Sequence, residues 1–132
     1  MNQERLDLLK AYITANIAPI LVEGISAAAF TDGVIIPSNC DISLLNGYYE
    51  GIEFVPPNWY VELVNKNTKP KILIIDNLSS VSKNEQCKFI ELLKYHKIST
   101  FELPEDTVIV ITSSKVSAEI IAPEIYELVA HV

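Results

Sequence analysis

The spacing of apolar residues predicts an amphipathic helix at the start of the chain. Over residues 3–16, apolar side chains recur every three or four positions with charged side chains between them. This is the period of an α-helix that buries one face. Pro19 ends the helix, because proline cannot continue its hydrogen-bonding pattern. The apolar face comprises Leu6, Leu9, Ile13 and Ile17.

Short runs of consecutive apolar residues, bounded by glycine, proline or polar residues, predict buried strands. The clearest are residues 71–76 and 107–112, whose unbroken apolar character is typical of strands covered on both faces of a sheet. Shorter strands are predicted at residues 19–24, 33–37 and 52–55. A sheet built from these runs is expected to be largely buried.

Three further helices are predicted between and after the strands. A proline pair at residues 56–57 begins one of them, since proline is well tolerated in a first helical turn. Ser82 and Glu85 have the spacing of a capping box, which opens a second helix with an apolar inner side. A final helix is predicted over residues 123–129. The inner side of the second helix comprises Phe89, Ile90, Leu93 and Ile98.

This alternation of strands and helices predicts a three-layer α/β fold with a mostly parallel sheet. The length of 132 residues suits a single domain over residues 1–132. Hydrophobic residues make up 49% and charged residues 20% of the chain, which excludes a disordered protein.

The charge balance bears on partners and on compartment. A net charge of −7 argues against nucleic-acid phosphates and anionic membranes as partners. Arg5 is the only arginine, which excludes chemistry that needs an arginine further along the chain. Cys40 and Cys87 are interpreted as single thiols, and neither lies near His96 or His131 in sequence, so we expect no metal site. Without a visible signal segment or membrane span, a cytoplasmic location is expected.

The order of segments over residues 70–114 carries a family resemblance. A buried strand ends in Asp76 and Asn77, a helix and a Leu-Pro turn at residues 103–104 follow, and a second buried strand ends in residues 112–114. This order resembles the AAA+ ATPases, and within them the MoxR-like branch, with a Walker B strand followed by a sensor-1 strand. Weaker similarity covers most of the chain, including residues 56–59, 121–132 and the strand before Gly24. The resemblance implies a P-loop-NTPase-like domain.

The segment in the P-loop position departs from the pattern G-x-x-x-x-G-K-[ST]. Gly24 matches the first glycine and Thr31 the hydroxyl residue, but Ala29 replaces the second glycine and Phe30 the lysine. The lysine neutralises the β- and γ-phosphates, and the glycines let backbone N–H groups surround them. We therefore expect that the phosphate site is lost, together with the helix that would follow it.

Other catalytic groups of the family also differ here. Asp76 stands in the Walker B position, but Asn77 replaces the acid that would polarise water, and an amide is no general base. Asp76 is also interpreted as a strand-end carboxylate that caps the next turn. Leu128 stands where the family has its arginine finger. No lid is expected after Val132, and the hydroxyl of Ser114 keeps only the polarity of sensor 1. We therefore expect no ATP hydrolysis.

The resulting hypothesis is a catalytically inactive AAA+-like domain that acts through protein contacts. Its partner is expected to be a second copy of the chain, an active ATPase or another protein, with no nucleic acid, membrane or cofactor. One alternative is a module that binds ATP and Mg²⁺ without hydrolysis, and another is a weak ATPase completed by a partner. The residues of the vestigial nucleotide site are Gly24, Thr31, Asp76, Asn77 and Ser114.

Some residues allow an alternative interpretation of fold or function. Asp76, Thr112 and Lys115 also resemble parts of a response-regulator receiver, but the first strand ends in glutamate and glycine rather than in two acids. Tyrosines 48 and 49 with Trp59 and Tyr60 form either an exposed aromatic patch or packing against the sheet. Packing is favoured for Trp59. His96 is interpreted as a helix C-terminal residue, and Glu50 and Glu53 as solvated.

Overall fold

The computed structural model describes residues 3–30 and 32–132, which form alternating strands and helices. The strands are β1 (Ile20–Glu23), β2 (Val34–Pro37), β3 (Tyr48–Glu50), β4 (Glu53–Val55), β5 (Lys71–Asp76), β6 (Lys97–Ile98), β7 (Phe101–Glu102), β8 (Thr107–Ser113) and β9 (Ala130–His131). The helices are α1 (Gln3–Ala15), α2 (Ile42–Asn46), α3 (Asn58–Val64), α4 (Lys83–Gln86), α5 (Ile90–Tyr95) and α6 (Pro123–Leu128), with 3-10 turns at Ala27–Ala29, Leu78–Ser80 and Cys87–Phe89.

Five strands form one central sheet in the order β2, β5, β8, β1, β9, and all of its neighbouring strands are parallel. Helices lie on both faces, with α1 on one and α3, α5 and α6 on the other. The predicted α/β class with a parallel sheet is confirmed. The layering is compatible with a P-loop-like three-layer arrangement.

Alternate residues of the central strands face opposite sides, so that each strand contributes to two apolar cores. Leu73 and Ile75 of β5 belong to the larger core, whereas Val108 and Val110 of β8 belong to the smaller. The larger core also takes Trp59, Leu63, Phe89, Leu92, Leu93 and Ile125 from the helical side, and the smaller takes Leu9 from α1.

Most predicted elements are confirmed, and the misses are short. The strands β5 and β8 coincide with the two clearest apolar runs, and α1 and α6 end within a residue of their predicted ends. The two-residue strand β9 was not predicted; it forms because Ala130 pairs with Ile20 of β1. Such a pairing joins distant parts of the chain and leaves no local signal.

The helix predicted to begin after Ser82 is confirmed except for Ile98. Ser82 caps the helix as predicted, since its Oγ accepts the N–H of Glu85 at 3.2 Å. The helix nevertheless passes through the 3-10 turn Cys87–Phe89 and ends at His96, which has a φ of 56°. Ile98 is buried as predicted, but it lies in β6.

The prediction that Ile17 continues the apolar face of the first helix is also wrong. Ile17 is 89% exposed, because α1 ends at Ala15 and Asn16 turns the chain with a φ of 47°. Leu9 is the buried residue of this helix.

Two short antiparallel hairpins, β3–β4 and β6–β7, lie outside the central sheet. Aromatic side chains join them: the ring centroids of Phe54 and Phe101 are 5.2 Å apart, and those of Phe101 and Tyr60 are 5.7 Å apart. Trp59 packs beneath them and is 5% exposed, and its Nε1 donates to the carbonyl of Leu45 at 2.9 Å. The packing interpretation of Trp59 is confirmed.

Gly47 allows the β3–β4 hairpin to start where it does. Its φ is 78°, and a Cβ there would lie 2.4 Å from the carbonyl oxygen of Val55. Only glycine fits such a position without displacing the neighbouring strand. Gly51, at the turn, has a φ of 65° but no neighbouring atom within 4 Å.

The strand β2 forms one edge of the sheet. The N–H of Ser38 donates to the carbonyl of Asp76 on β5 at 3.2 Å. Along a parallel strand, the backbone groups of successive residues point alternately to one side and to the other. Since Ser38 bonds to β5, Ile35 and Pro37 direct their backbone groups away from the sheet. Proline has no N–H, so the outward edge of β2 lacks a donor at residue 37.

Within the described ranges, no helix combines the length and the apolar character needed to cross a bilayer.

Candidate functional site

A groove of about 360 Å³ lies at the carboxyl ends of β1, β5 and β8. In open parallel sheets, ligands bind where the connections of two adjacent strands run in opposite directions. Here that point lies between β1, which leads across the sheet to β2, and β8, which leads to β9. The groove is lined by Gly24, Ile25, Ser26, Asp76, Asn77, Thr112, Ser113 and Ser114.

The structure brings together four of the five residues predicted for the vestigial nucleotide site: Gly24, Asp76, Asn77 and Ser114. They converge because the carboxyl ends of neighbouring parallel strands meet at one edge of the sheet. Thr31 lies outside the described residues.

Thr112 joins the ends of β5 and β8. Its Oγ1 donates to Oδ1 of Asp76 at 3.2 Å and accepts the N–H of Asn77 at 3.0 Å. The Asp76 carboxylate is therefore held by a hydrogen bond from the neighbouring strand. Asn77 adopts a left-handed conformation with a φ of 56°, which asparagine tolerates better than most residues and which starts the 3-10 turn Leu78–Ser80.

Serine hydroxyls extend this network along the edge of the sheet. The Oγ atoms of Ser79 and Ser114 are 2.9 Å apart, and Oγ of Ser79 also donates to Oδ1 of Asn77 at 3.2 Å. Oγ of Ser38 donates to the carbonyl of Asn77 at 2.8 Å and lies 2.9 Å from Oγ of Ser80. Much of the hydrogen-bonding capacity of these side chains is therefore used within the protein.

Four amides of the loop after β1 have acceptors within the protein. The N–H of Gly24 donates to the carbonyl of Ser113 at 2.9 Å, and that of Ala28 to Oγ of Ser26 at 3.2 Å. The amides of Ala29 and Phe30 donate to carbonyls of the same loop at 3.0 and 3.1 Å. A P-loop needs its amides free to bind phosphate, whereas these four already have acceptors.

Phe30 packs away from the groove. Its ring contacts the smaller apolar core, beside Ile25 and opposite Leu6 and Ile13 of α1. Among the described residues between β1 and β2, the only helical segment is the 3-10 turn Ala27–Ala29. A side chain at residue 30 therefore does not occupy the place where a P-loop lysine would bind phosphate.

The electrostatics of the groove disfavour a phosphate. Its lining residues include the carboxylate of Asp76 and no lysine, arginine or histidine. Arg5 directs its guanidinium at the carbonyls of Glu23 and Val132, at 2.7 and 3.1 Å. Because phosphate recognition relies on cations or free amides, this groove suits neutral hydroxyl or amide groups better than a polyphosphate.

The other candidate residues lie elsewhere. Burial is the largest influence on Cys40 and raises the pKa of its thiol, although Lys88 opposes the shift, and Cys87 is exposed. His96 ends α5 as predicted, and burial lowers the pKa of its ring. Among the described residues, no cluster of His, Cys, Asp or Glu side chains is large enough to bind a metal ion.

Sequence reasoning missed the role of Gln86. Its fully buried amide donates to the carbonyls of Leu78, Val81 and Ile120 at 3.3, 3.1 and 2.9 Å, and its Oε1 accepts the N–H of Ala122 at 2.8 Å. It thus connects the loop after β5 to the segment before α6. A signal was available, because Gln86 precedes Phe89 and Leu93 at helical spacing and so is a polar residue on an apolar face.

No protein-family model matches this chain, and no curated protein matches it significantly. The resemblance to AAA+ ATPases therefore remains a prediction that depends on the sequence segments themselves.

Proposed function

We propose that this chain is an AAA+-like, MoxR-like α/β domain that does not turn over nucleotide and acts through protein contacts. The observation that carries the proposal is the loop after β1. Four of its amides bind acceptors within the protein, and none of the described residues that line the adjacent groove carries a positive charge. A polyphosphate there would meet the Asp76 carboxylate without a compensating charge.

Exposed apolar side chains support the proposal that the chain acts through protein contacts. Tyr48, Tyr49 and Ile52 of the β3–β4 hairpin are 53%, 70% and 98% exposed. Contiguous exposed apolar side chains are typical of protein interaction sites, and tyrosine is frequent among residues that dominate binding.

The test is calorimetric titration of the protein with Mg-ATP and with Mg-ADP, with thermal unfolding measured alongside. A ligand at 100 times its Kd stabilises a fold by about 2.7 kcal/mol, which shifts the Tm by several degrees. We expect no heat of binding and no shift. Micromolar binding to either nucleotide would contradict the proposal.

The alternative of nucleotide binding without hydrolysis is favoured by one observation, the convergence of Gly24, Asp76, Asn77 and Ser114 on one groove. The variant Asp76→Asn separates the two functions. It weakens the binding of Mg-ATP if the Asp76 carboxylate binds Mg²⁺, and it leaves the titration unchanged if the chain binds no nucleotide. A partner-completed ATPase would show turnover only in a mixture with that partner.

A further inference from the structure

The β3–β4 hairpin has an exposed outer surface, which we call the hairpin face. Tyr48 lies on the same side of the strand as Glu50, because alternate strand residues share a face. The hairpin face comprises Tyr48 (53% exposed) and Ile52 (98%), with Glu50 and Glu53.

The hairpin is held from its inner side, which leaves this outer surface available. Phe54 stacks on Phe101 at 5.2 Å, and Tyr49 contacts the edge of Phe54 at 5.3 Å. At the turn, Glu50 lies directly opposite Glu53 in the antiparallel register. Like charges in that position destabilise a hairpin. The arrangement therefore costs stability in a single copy of the chain, and a basic surface placed against the two glutamates would remove that cost.

The charge of the chain is unevenly distributed, and the hairpin face lies in its acidic half. Residues 11–65 contain six acidic residues and no lysine, arginine or histidine. The rest of the chain contains 11 acidic and 10 basic residues and is nearly balanced. A surface complementary to the hairpin face must therefore be both basic and apolar.

The C-terminal end of α5 has that character. Tyr95 is 58% exposed, and Nζ of Lys94 lies 5.5 Å from the centre of its ring. Beside them is a cavity of about 230 Å³ with no acidic residue in its lining. Lys97 lies opposite Glu102 in the β6–β7 register. The cavity is lined by Asn16, Ile17, Ala18, Pro19, Leu93, Lys94, His96 and Leu128.

We propose that the hairpin face of one copy of this chain binds the α5 end of a second copy. Ile52 enters the cavity beside Leu93, and the two glutamates at the turn lie against Lys94. The inference rests on the proposed function and specifies its partner. Because two different surfaces meet, the contact is head to tail, and such contacts generate rings or open chains of copies.

The experiment is sedimentation velocity of the full chain over a wide concentration range in low salt. The average mass is expected to rise above the 14.7 kDa of one copy as concentration rises, and to fall again in high salt. Ile52→Asp and Lys94→Glu should each weaken association at least tenfold, roughly 1.4 kcal/mol. Leu8→Asp and Lys83→Glu are matched controls, because each makes the same type of substitution at an exposed residue elsewhere and should associate like the parent chain.

Mixing the two interface variants tests the head-to-tail geometry. The Ile52→Asp copy keeps an intact α5 end, and the Lys94→Glu copy keeps an intact hairpin face. A mixture should therefore form a pair with one copy of each variant and grow no further. A two-fold symmetric interface also stops at two copies, but it would let the parent chain form only pairs, whereas the head-to-tail contact lets the parent chain grow further.

Three outcomes would overturn the inference. They are a parent chain that stays at the mass of one copy, interface variants that associate as well as the controls, and a mixture that forms no pair. If the parent chain stays at the mass of one copy and a different basic protein binds the hairpin face, that result counts as the first outcome. Nucleotide binding in the calorimeter overturns the proposed function instead, so the two failures are distinguishable.

Discussion

The groove at the carboxyl ends of β1, β5 and β8 and the hairpin face differ in how their polar and apolar groups are satisfied. In the groove, the hydroxyl of Thr112 and four amides after β1 bind partners within the protein. On the hairpin face, Ile52 is almost fully exposed and Glu50 faces Glu53. At the position in the fold where ligands usually bind, the polar groups thus already have partners within the protein. The exposed apolar and charged side chains lie instead on a hairpin outside the central sheet.

The largest expected effect concerns Gln86, and it tests whether the buried polar network near the groove stabilises the fold. Gln86→Leu leaves three carbonyls and one N–H without their buried partner, which should lower the free energy of unfolding by about 3 kcal/mol. Urea denaturation measures the loss. Asn84→Ala, an exposed change in the same helix, is the control and should stay within about 0.5 kcal/mol. A loss below about 1 kcal/mol for Gln86→Leu would mean that water replaces the side chain.

A smaller effect concerns how the hairpin face is held. Gly47→Ala places a Cβ against the carbonyl of Val55 at a positive φ and should cost about 2 kcal/mol. Gly51→Ala is the matched variant, since it has a similar φ but open space around it, and should cost about 1 kcal/mol. Thermal unfolding ranks the two. Equal losses would show that residue 47 can move away from the carbonyl of Val55.

The smallest effect compares two threonines of β8. Thr112→Val removes the bonds to Asp76 and Asn77 and should cost about 1.5 kcal/mol. Oγ1 of Thr107 is buried and has no partner among residues 3–30 and 32–132, so Thr107→Val should cost nothing or stabilise the fold by up to about 1 kcal/mol. Denaturant midpoints of the two variants, measured together, check the sign of the difference. A destabilised Thr107→Val variant would imply an unseen partner for that hydroxyl.

The parts of the fold that follow from local pattern were predictable from the sequence. Unbroken apolar runs located β5 and β8, and the meeting of parallel strand ends placed Asp76 and Ser114 in one groove. The unpredicted parts depend on contacts between distant residues. The strand β9 exists only through its pairing with β1, and Ile98 leaves the helix because it pairs with Phe101 in the β6–β7 hairpin. The direction of the Phe30 side chain could not be predicted from the sequence either, because it is set by packing against α1.

Pro37 has a consequence for the solubility of the chain at high concentration. An open sheet edge with regular outward donors can recruit strands from other molecules and grow without limit. The outward edge of β2 has its donor at Ile35 and none two residues later, so a recruited strand would lose a hydrogen bond after a single pair. The chain can therefore expose the apolar residues of the β3–β4 hairpin while the β2 edge of its sheet resists extension into a fibril.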